Sequence, residues 1–340
     1  MLKAGIIGCG NIYGMHAISL NLLDDVKLAA VCDVKEERAK NAAQQYNCTY
    51  YTDYKKMIEN EGLDVVHICT PHYLHAEMAV YAANKGVNIL TEKPMSIKLE
   101  DAEAMIKAAK DNNVVLGVIF QNRYNPGSKL IKETLQSGKL GKIISGRALV
   151  AWHRPDEYYI KSDWKGTWDK EGGGVVIDQA IHTLDLLRWF VNDEIEYVDA
   201  NIYNRAHEII EVEDSAEGVI KYKNGVITGF MAINYYGYDA PVEIELYCEN
   251  GIAKMTGHQA TIKFNDFTEI SADRNPNEGE HLGNGFKLYW GISHKVQITK
   301  FYDALKKGEK VDITGDEAIK TQKMICAIYD SGKSGKRIYF

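Results

Sequence analysis

The chain has 340 residues, enough for two domains, and its 45% apolar and 26% charged residues are those of an ordinary globular protein. A formal net charge of −7 argues against nucleic acid or an anionic membrane as a partner, and no apolar stretch approaches a membrane span. Met1-Leu2-Lys3 leads into a strand rather than a signal peptide, and the six cysteines contain no CxxC pair. The expectation is a cytoplasmic protein with reduced thiols and no metal site.

Leu2 to Ile7 reads as an apolar strand running into Gly8-Cys9-Gly10-Asn11-Ile12-Tyr13-Gly14, with a helix following through His16, Leu20 and Leu23. Val26 to Cys32 is a second strand ending on Asp33, and Lys35 to Tyr46 a second helix. A βαβ unit opened by a glycine-rich turn is a dinucleotide-binding pattern. Its glycines let backbone approach a pyrophosphate, and the helix N-terminus offers free N–H groups. Gly8, Gly10, Asn11 and Ile12 are the cofactor candidates in the turn. The third glycine of the pattern falls on Tyr13, and Gly14 comes one residue later. Asp33, 20 positions after Tyr13, has the spacing of the carboxylate that binds a ribose 2′-hydroxyl. That charge repels a 2′-phosphate, and no arginine directly follows it, so NAD is favoured over NADP, with Lys35 and Arg38 weighing the other way.

Val65 to Cys69 is a short apolar run suited to a strand buried on both faces. Met78, Ala79, Tyr81, Ala82 and Ala83 recur at helical spacing, Lys85-Gly86 stops the helix, and Val87, Ile89 and Leu90 begin another strand. The strand ends on Glu92-Lys93-Pro94. Proline restricts the residue before it, so Lys93 is held just past a strand end, where ligands of parallel sheets bind. Asp101 to Asn112 is a helix and Val114 to Phe120 a strand. The α/β alternation then stops, which divides the chain into domains 1–121 and 122–340.

The second half opens with a helix from Gly127 to Leu135 and a strand from Ile143 to Trp152. The following loop, Trp152 to Tyr159 with Trp164 and Trp168, is dense in aromatics. Such faces suit a polyhydroxylated ring; they equally anchor a long loop to a core. Gly172-Gly173-Gly174 permits close approach of backbone or ligand. Val175 to Val191 reads as a helix with Asp178, His182 and Asp185 on one face at i, i+4 and i+7. A carboxylate one turn from a histidine orients the imidazole and stabilises its charged form; the same pair also serves as plain helix support. Ile195 to Ile270 is a β meander with hairpin turns at Asn224-Gly225 and Glu249-Asn250-Gly251. It implies an antiparallel sheet with one face open to helices or to another subunit. Lys295 to Lys307 and Asp316 to Ser331 are helices, and Lys336 to Phe340 a last strand.

Gly8-x-Gly10, Thr70-Pro71 with His75, Glu92-Lys93-Pro94, Asn122-Arg123-Tyr124-x-Pro126, the tryptophan-rich loop and Gly172-Gly173-Gly174 leading to Asp178-x-x-x-His182 occur in this order. In this the chain resembles, over nearly its whole length, the Gfo/Idh/MocA family, named for glucose–fructose oxidoreductase, inositol dehydrogenase and a rhizopine-catabolism protein. The resemblance implies an α/β protein: an N-terminal Rossmann domain, then an α+β domain whose large, mostly antiparallel open sheet forms homodimers or homotetramers. It implies Lys93, Asp178 and His182 as the catalytic set, with Thr70, Pro71, His75 and Glu92 along the cofactor. Arg123, Arg154 and Tyr158 are the substrate-side candidates beside Asp178 and His182. Two departures are Tyr13 in the glycine turn and Ala180, where many members carry glycine.

The expected reaction is hydride transfer between a secondary carbinol of a sugar, polyol or sugar derivative and NAD. The same residues fit transient oxidation by bound NAD without net redox change, as in epimerisation, elimination or glycoside cleavage. A non-catalytic NAD-binding regulator is the remaining alternative. Asp33→Ala is expected to weaken NAD binding roughly tenfold to a hundredfold, the effect of losing a charge-assisted hydrogen bond, and to narrow the preference for NAD over NADP. Titration of both nucleotides against wild type and variant checks this; unchanged NAD affinity would place the ribose elsewhere.

Overall fold

A computed structural model describes residues 1–273 and 293–340. Of these, 1–121 and 293–320 form one compact unit, and 122–273 and 321–340 form another. The stretch 293–320 thus departs from its expected place with the second half of the chain. Gln297 explains the difference: its side chain accepts from the Phe120 amide at 3.0 Å and donates to the Val118 carbonyl at 2.8 Å. Ile298, Phe301 and Tyr302 are buried in the same core as Ala4, Ile6 and Val31.

The first unit is a six-stranded parallel sheet. Its strands are β1 (Leu2–Ile7), β2 (Val26–Cys32), β3 (Thr49–Tyr51), β4 (Val65–Ile68), β5 (Asn88–Thr91) and β6 (Leu116–Val118), in the order β3-β2-β1-β4-β5-β6. Five helices connect them: α1 (Tyr13–Asn21), α2 (Glu36–Tyr46), α3 (Tyr54–Glu61), α4 (His75–Asn84) and α5 (Leu99–Asp111). Strand order reverses about β1, so the loops leaving β1 and β4 flank the crevice where such sheets take ligands. The sequence reading passes over β3 and α3, because this three-residue edge strand has exposed side chains and no apolar run. The cap of α3 was a usable signal: the Asp53 carboxylate accepts from the Lys55 amide at 2.9 Å.

The second unit begins with α6 (Pro126–Gln136), β7 (Ile143–Ala151) and the short α7 (Asp156–Ile160). A π-helical turn at Val175–Ala180 leads into α8 (Ile181–Val191). Seven strands follow: β8 (Ile195–Tyr203), β9 (Ser215–Tyr222), β10 (Ile227–Ile233), β11 (Glu243–Cys248), β12 (Gly251–Thr256), β13 (Gln259–Phe264) and β14 (Glu269–Ala272). Beyond residue 292, α9 (His294–Lys307) belongs to the first unit, α10 (Gly315–Ser334) carries the chain into the second, and β15 (Ile338–Tyr339) closes the sheet. The nine strands lie in the order β14-β13-β12-β11-β7-β10-β9-β8-β15. Neighbours are antiparallel except β7 with β10. Alternation sorts the two faces: Ala148, Val150, Phe230, Ala232, Ile244 and Leu246 are buried, with α6 packed on β13 and α8 on β7. The opposite face carries Arg147, Leu149, Ile227, Met231, Glu245 and Ile252 in register.

Candidate active site

In the first unit the glycine turn leaves β1 at Gly8, whose φ of +95° is open to glycine at little cost. A Cβ there would stand 2.6 Å from the Cys69 carbonyl, so Gly8 lets the end of β4 come close. Gly10 is different: among the described residues, its own chain neighbours aside, no atom lies within 4 Å of where its Cβ would be. This open cradle sits just before α1, whose Ile12 N-cap supplies no side-chain hydrogen bond to the first turn. Backbone N–H groups facing free space suit a pyrophosphate. Asp33, at the end of β2, accepts from the Cys9 amide at 2.9 Å and the Lys35 amide at 2.8 Å. Its carboxylate therefore shapes the turn. Tyr13 directs its hydroxyl to Gln45 of α2, donating at 3.1 Å.

The loops after β4 and β5 are tied to each other. His75 is buried, with Nδ1 2.8 Å from the Pro94 carbonyl and Nε2 2.9 Å from the Thr70 carbonyl. Burial pushes its pKa down, while the two carbonyl acceptors push it back up. Glu92 is buried as well. Its Oε1 accepts from His16 and His294, and its Oε2 accepts the Lys93 amide at 3.2 Å. The polar atoms of His75 and Glu92, residues expected along the cofactor, hold protein groups. Lys93 itself is partly exposed.

In the second unit Val175 to Val191 is not one α-helix, because its first six residues make a π-helical turn. The wider turn removes the simple i, i+4, i+7 face. Asp178 and His182 are partly exposed, whereas Asp185 is buried and meets Arg123 Nε and Nη2 at 2.7 and 2.6 Å. Asp185 also accepts from Thr321 at 2.6 Å. Arg123, expected on the substrate side, is buried in this bidentate pair and fastens α8 to the turn before α6. Arg154 is buried too, donating to Asp239 at 2.8 Å with its guanidinium over the Trp152 and Tyr158 rings.

Tyr158 and Asp178 are brought together. Three donors converge on Asp178 Oδ2: the Tyr158 hydroxyl at 2.6 Å, Lys165 Nζ at 2.6 Å and Gln179 Nε2 at 2.7 Å. Lys165 also reaches Glu171 at 3.3 Å. Burial works against the Lys165 charge, but Asp178, Tyr158 and Glu171 outweigh it and hold the ammonium well above its usual range. Burial and Asp178 raise the Tyr158 phenol, which keeps it a donor. Burial likewise pushes Glu171 up to about 8, against the pull of Lys165. Asp178 is thus a carboxylate locked by three donors and paired with Lys165. Lys165 and Glu171 carried no assigned role in the sequence, although Lys165 lies between Trp164 and Trp168.

The glycine run has a structural reason. A Cβ on Gly173 would stand 2.0 Å from the Tyr329 hydroxyl, and one on Gly174 1.9 Å from the Glu213 carbonyl. The Glu213 carboxylate accepts from the Gly174 and Val176 amides at 2.9 and 3.0 Å and from the Tyr329 hydroxyl at 2.9 Å. What approaches these glycines is therefore protein, and it sets the start of the π-helical turn.

A parallel sheet with an open glycine cradle at its switch point, an acid at the next strand end and a locked Asp–Lys pair in the second unit defines a dinucleotide-dependent oxidoreductase. Residues 2–120 match the family model described as an oxidoreductase family, NAD-binding Rossmann fold, and residues 129–254 match the GFO/IDH/MocA C-terminal domain. The chain belongs to the GFO/IDH/MocA oxidoreductase family, and its cofactor is NAD. It is 26% identical over 325 residues to a myo-inositol 2-dehydrogenase of Thermotoga maritima, covering 93% of this chain and 92% of that enzyme. The WlbA dehydrogenase of Bordetella pertussis, solved with NADH and UDP-GlcNAcA, superposes with a TM-score of 0.87 at 26% identity over 100% of this chain and 97% of that one. A levoglucosan dehydrogenase solved with NADH and levoglucosan shares the fold, with a TM-score of 0.87 at 22% identity over 99% of each chain.

Burial raises the Glu213 carboxyl to about 7 against its hydrogen bonds. A carboxyl raised in the folded state stabilises below its unfolded pKa and loses that contribution as pH climbs through the folded value. Between about pH 4.5 and 7 this group should reduce stability by on the order of 3 kcal/mol. Urea melts of wild type and Glu213→Gln at pH 5 and 7.5 check it: the variant should show the smaller pH dependence, and equal dependence would exclude Glu213 as the source.

Proposed function

We propose that the protein is a dehydrogenase moving a hydride between NAD and a secondary carbinol of a sugar, polyol or sugar derivative, in the cytoplasm. The observation that carries this reading is the Asp178 carboxylate, held by three donors in the π-helical turn that leads to His182. The sugar and polyol substrates named for the relatives agree with it. Among the described residues no helix is long and apolar enough to cross a membrane.

NAD, when bound on the glycine turn, supplies the hydride acceptor. Gly8, Gly10, Asn11, Ile12 and Asp33 hold it, with Thr70 and Pro71 beside it. His182 takes the carbinol proton on a ring nitrogen. The Lys93 ammonium hydrogen-bonds the carbinol oxygen and favours the developing alkoxide. Asp178 orients the substrate and His182, while Tyr158 and Lys165 fix Asp178 in turn. Because Lys165 offsets the Asp178 charge, Asp178 acts more through orientation than by raising the basicity of His182. His182 is neutral before hydride transfer, so oxidative turnover rises with pH through its apparent pKa. His182→Ala should lower turnover by about 10² to 10⁴ and abolish that rising limb, with NAD binding nearly intact. The pH profile of NADH formation, with the isotope effect of a deuterated carbinol, reads this. Near-normal turnover with the same limb in the variant would make the histidine structural. Failure of NADH to accumulate with any sugar, inositol or glycoside would point instead to transient oxidation.

The outward face of the nine-stranded sheet is the subunit interface. Ile227, Met231 and Ile252 are 43%, 43% and 42% exposed there, on the face that also carries the cross-strand row Arg147, Glu245 and Lys254. An extended face of this kind is buried in an assembly rather than left to water. Light scattering at micromolar concentration should show a dimer or tetramer; a monomer would remove the assignment.

A further inference from the structure

Behind Lys93 the first unit contains a polar cluster in which every member is buried: His16 of α1, His67 of β4, Glu92 after β5, and His294 and Tyr302 of α9. His16 Nε2 lies 2.9 Å and His294 Nε2 3.0 Å from Glu92 Oε1. His16 Nδ1 lies 2.8 Å from His67 Nδ1, and His67 Nε2 lies 2.9 Å from the Tyr302 hydroxyl.

With Glu92 ionised and the His16 and His67 rings neutral, these contacts admit one consistent placement of protons. An ionised carboxylate accepts only, so His16 and His294 both donate from Nε2. A neutral His16 then presents a lone pair at Nδ1, which His67 fills with its Nδ1–H. His67 is left with a lone pair at Nε2, and the Tyr302 hydroxyl donates to it. The charges agree. Burial lowers His16 and, together with His16, lowers His67 further, so both rings are neutral. Burial raises Tyr302, which keeps its proton. Burial alone would protonate Glu92, but the hydrogen bonds of His16 and His294 reverse that and hold it well below the usual carboxylate range. One ligand atom each of His16, His294 and Glu92 lies within 4.8 Å of the others, a spacing that also suits a metal ion. Their hydrogen-bond separations, and the proton chain that uses both nitrogens of His16 and of His67, favour protons instead.

We propose that Glu92, His16 and His294, with His67 and Tyr302 behind them, are positioning residues for Lys93: a one-directional chain of donors fixes Glu92 Oε1, leaving Oε2 to anchor the Lys93 amide. The proposal rests on the reading of Lys93 as the residue that hydrogen-bonds the carbinol oxygen. No member of the cluster needs to touch substrate or cofactor. Its work is to hold a lysine-bearing loop with a buried anion that cannot rotate, because both of its oxygens are in use.

Histidine tautomers test the chain directly. In the full-length protein with NAD, labelled with 15N-histidine, two-bond 15N–1H spectra near pH 7 should show His16 and His294 as Nε2–H tautomers. His67 should be the Nδ1–H tautomer. His67 as Nε2–H, a doubly protonated His16 or His67, or one equivalent of divalent metal removable by a chelator would overturn the proposal. Kinetics test the positioning. His294→Leu should lower turnover about tenfold to a hundredfold, with the dissociation constant for NAD changed less than about threefold. His294→Gln, whose amide N–H replaces the imidazole donor, should recover most of the loss. Equal loss of thermal stability in both variants with normal turnover of the folded protein would leave the cluster merely structural and sink the proposal. If His294→Leu does not fold, Tyr302→Phe serves: without the hydroxyl, the His67 tautomer should shift and turnover fall in the same direction, and no change in either overturns the chain. Lys93→Ala separates the two levels. Normal turnover in Lys93→Ala would remove the role of the lysine while the tautomers stand. Lost turnover in Lys93→Ala beside normal turnover in His294→Leu would remove the positioning role alone.

Discussion

A carboxylate taken out of water needs donors on its oxygens, and that requirement organises both units of this protein. Glu92 is met by two imidazoles and a backbone amide, and Asp185 by a guanidinium and a threonine hydroxyl. Asp214 accepts from the amides of Arg205, Ala206 and His207 and so holds the loop before β9. Glu92 and Asp185 draw together segments remote in sequence, whereas Asp214 ties a local loop. Breaking such an arrangement leaves a buried charge, which is far more costly than losing a surface ion pair. The chemistry proposed for Asp178 uses the same device with one difference. Its carboxylate is partly exposed, so it is held by Tyr158, Lys165 and Gln179 at the edge of the buried network rather than inside it.

The second constraint is close approach. At Gly8 the end of β4 comes within 2.6 Å of where a Cβ would stand, and at Gly173 and Gly174 Tyr329 and Glu213 come closer still. In both places the glycine is required by neighbouring protein atoms. Gly10 alone of these four opens onto unfilled space, and it is the one proposed to meet the cofactor. The same residue type thus does two kinds of work in motifs that look alike in sequence, and only the environment of each Cβ position separates them.

The two departures from the family pattern read differently once placed. Tyr13 turns away to α2 and hydrogen-bonds Gln45, so the glycine turn keeps its open cradle at Gly10. Ala180 is buried at the end of the π-helical turn. The side chain of Asp178 is aimed by that turn and by the donors on it, rather than by a regular helical face.

Much of the architecture was legible in one dimension. Apolar runs and their turns mark β1, β2, β4 and β5, period-2 alternation marks the strands of the large sheet, and the glycine turn with Asp33 marks the cofactor side. These signals are local: each depends on a few neighbouring residues whose spacing repeats the geometry of a helix or strand. The short exposed β3 had no such signal, and neither did the place of α9 in the first unit, where Gln297 completes the backbone hydrogen bonds of Val118 and Phe120. The partners of the charged residues lay beyond sequence altogether. His16 and Glu92 are 76 positions apart, Glu92 and His294 202, and Arg123 and Asp185 62. By itself the sequence determined the kinds of element and marked the candidates for the cofactor turn and for acid–base chemistry. The tertiary structure decided which of those residues are bound up in holding the protein together, because a buried charge takes its donors from whatever segments the fold brings beside it, at any distance along the chain.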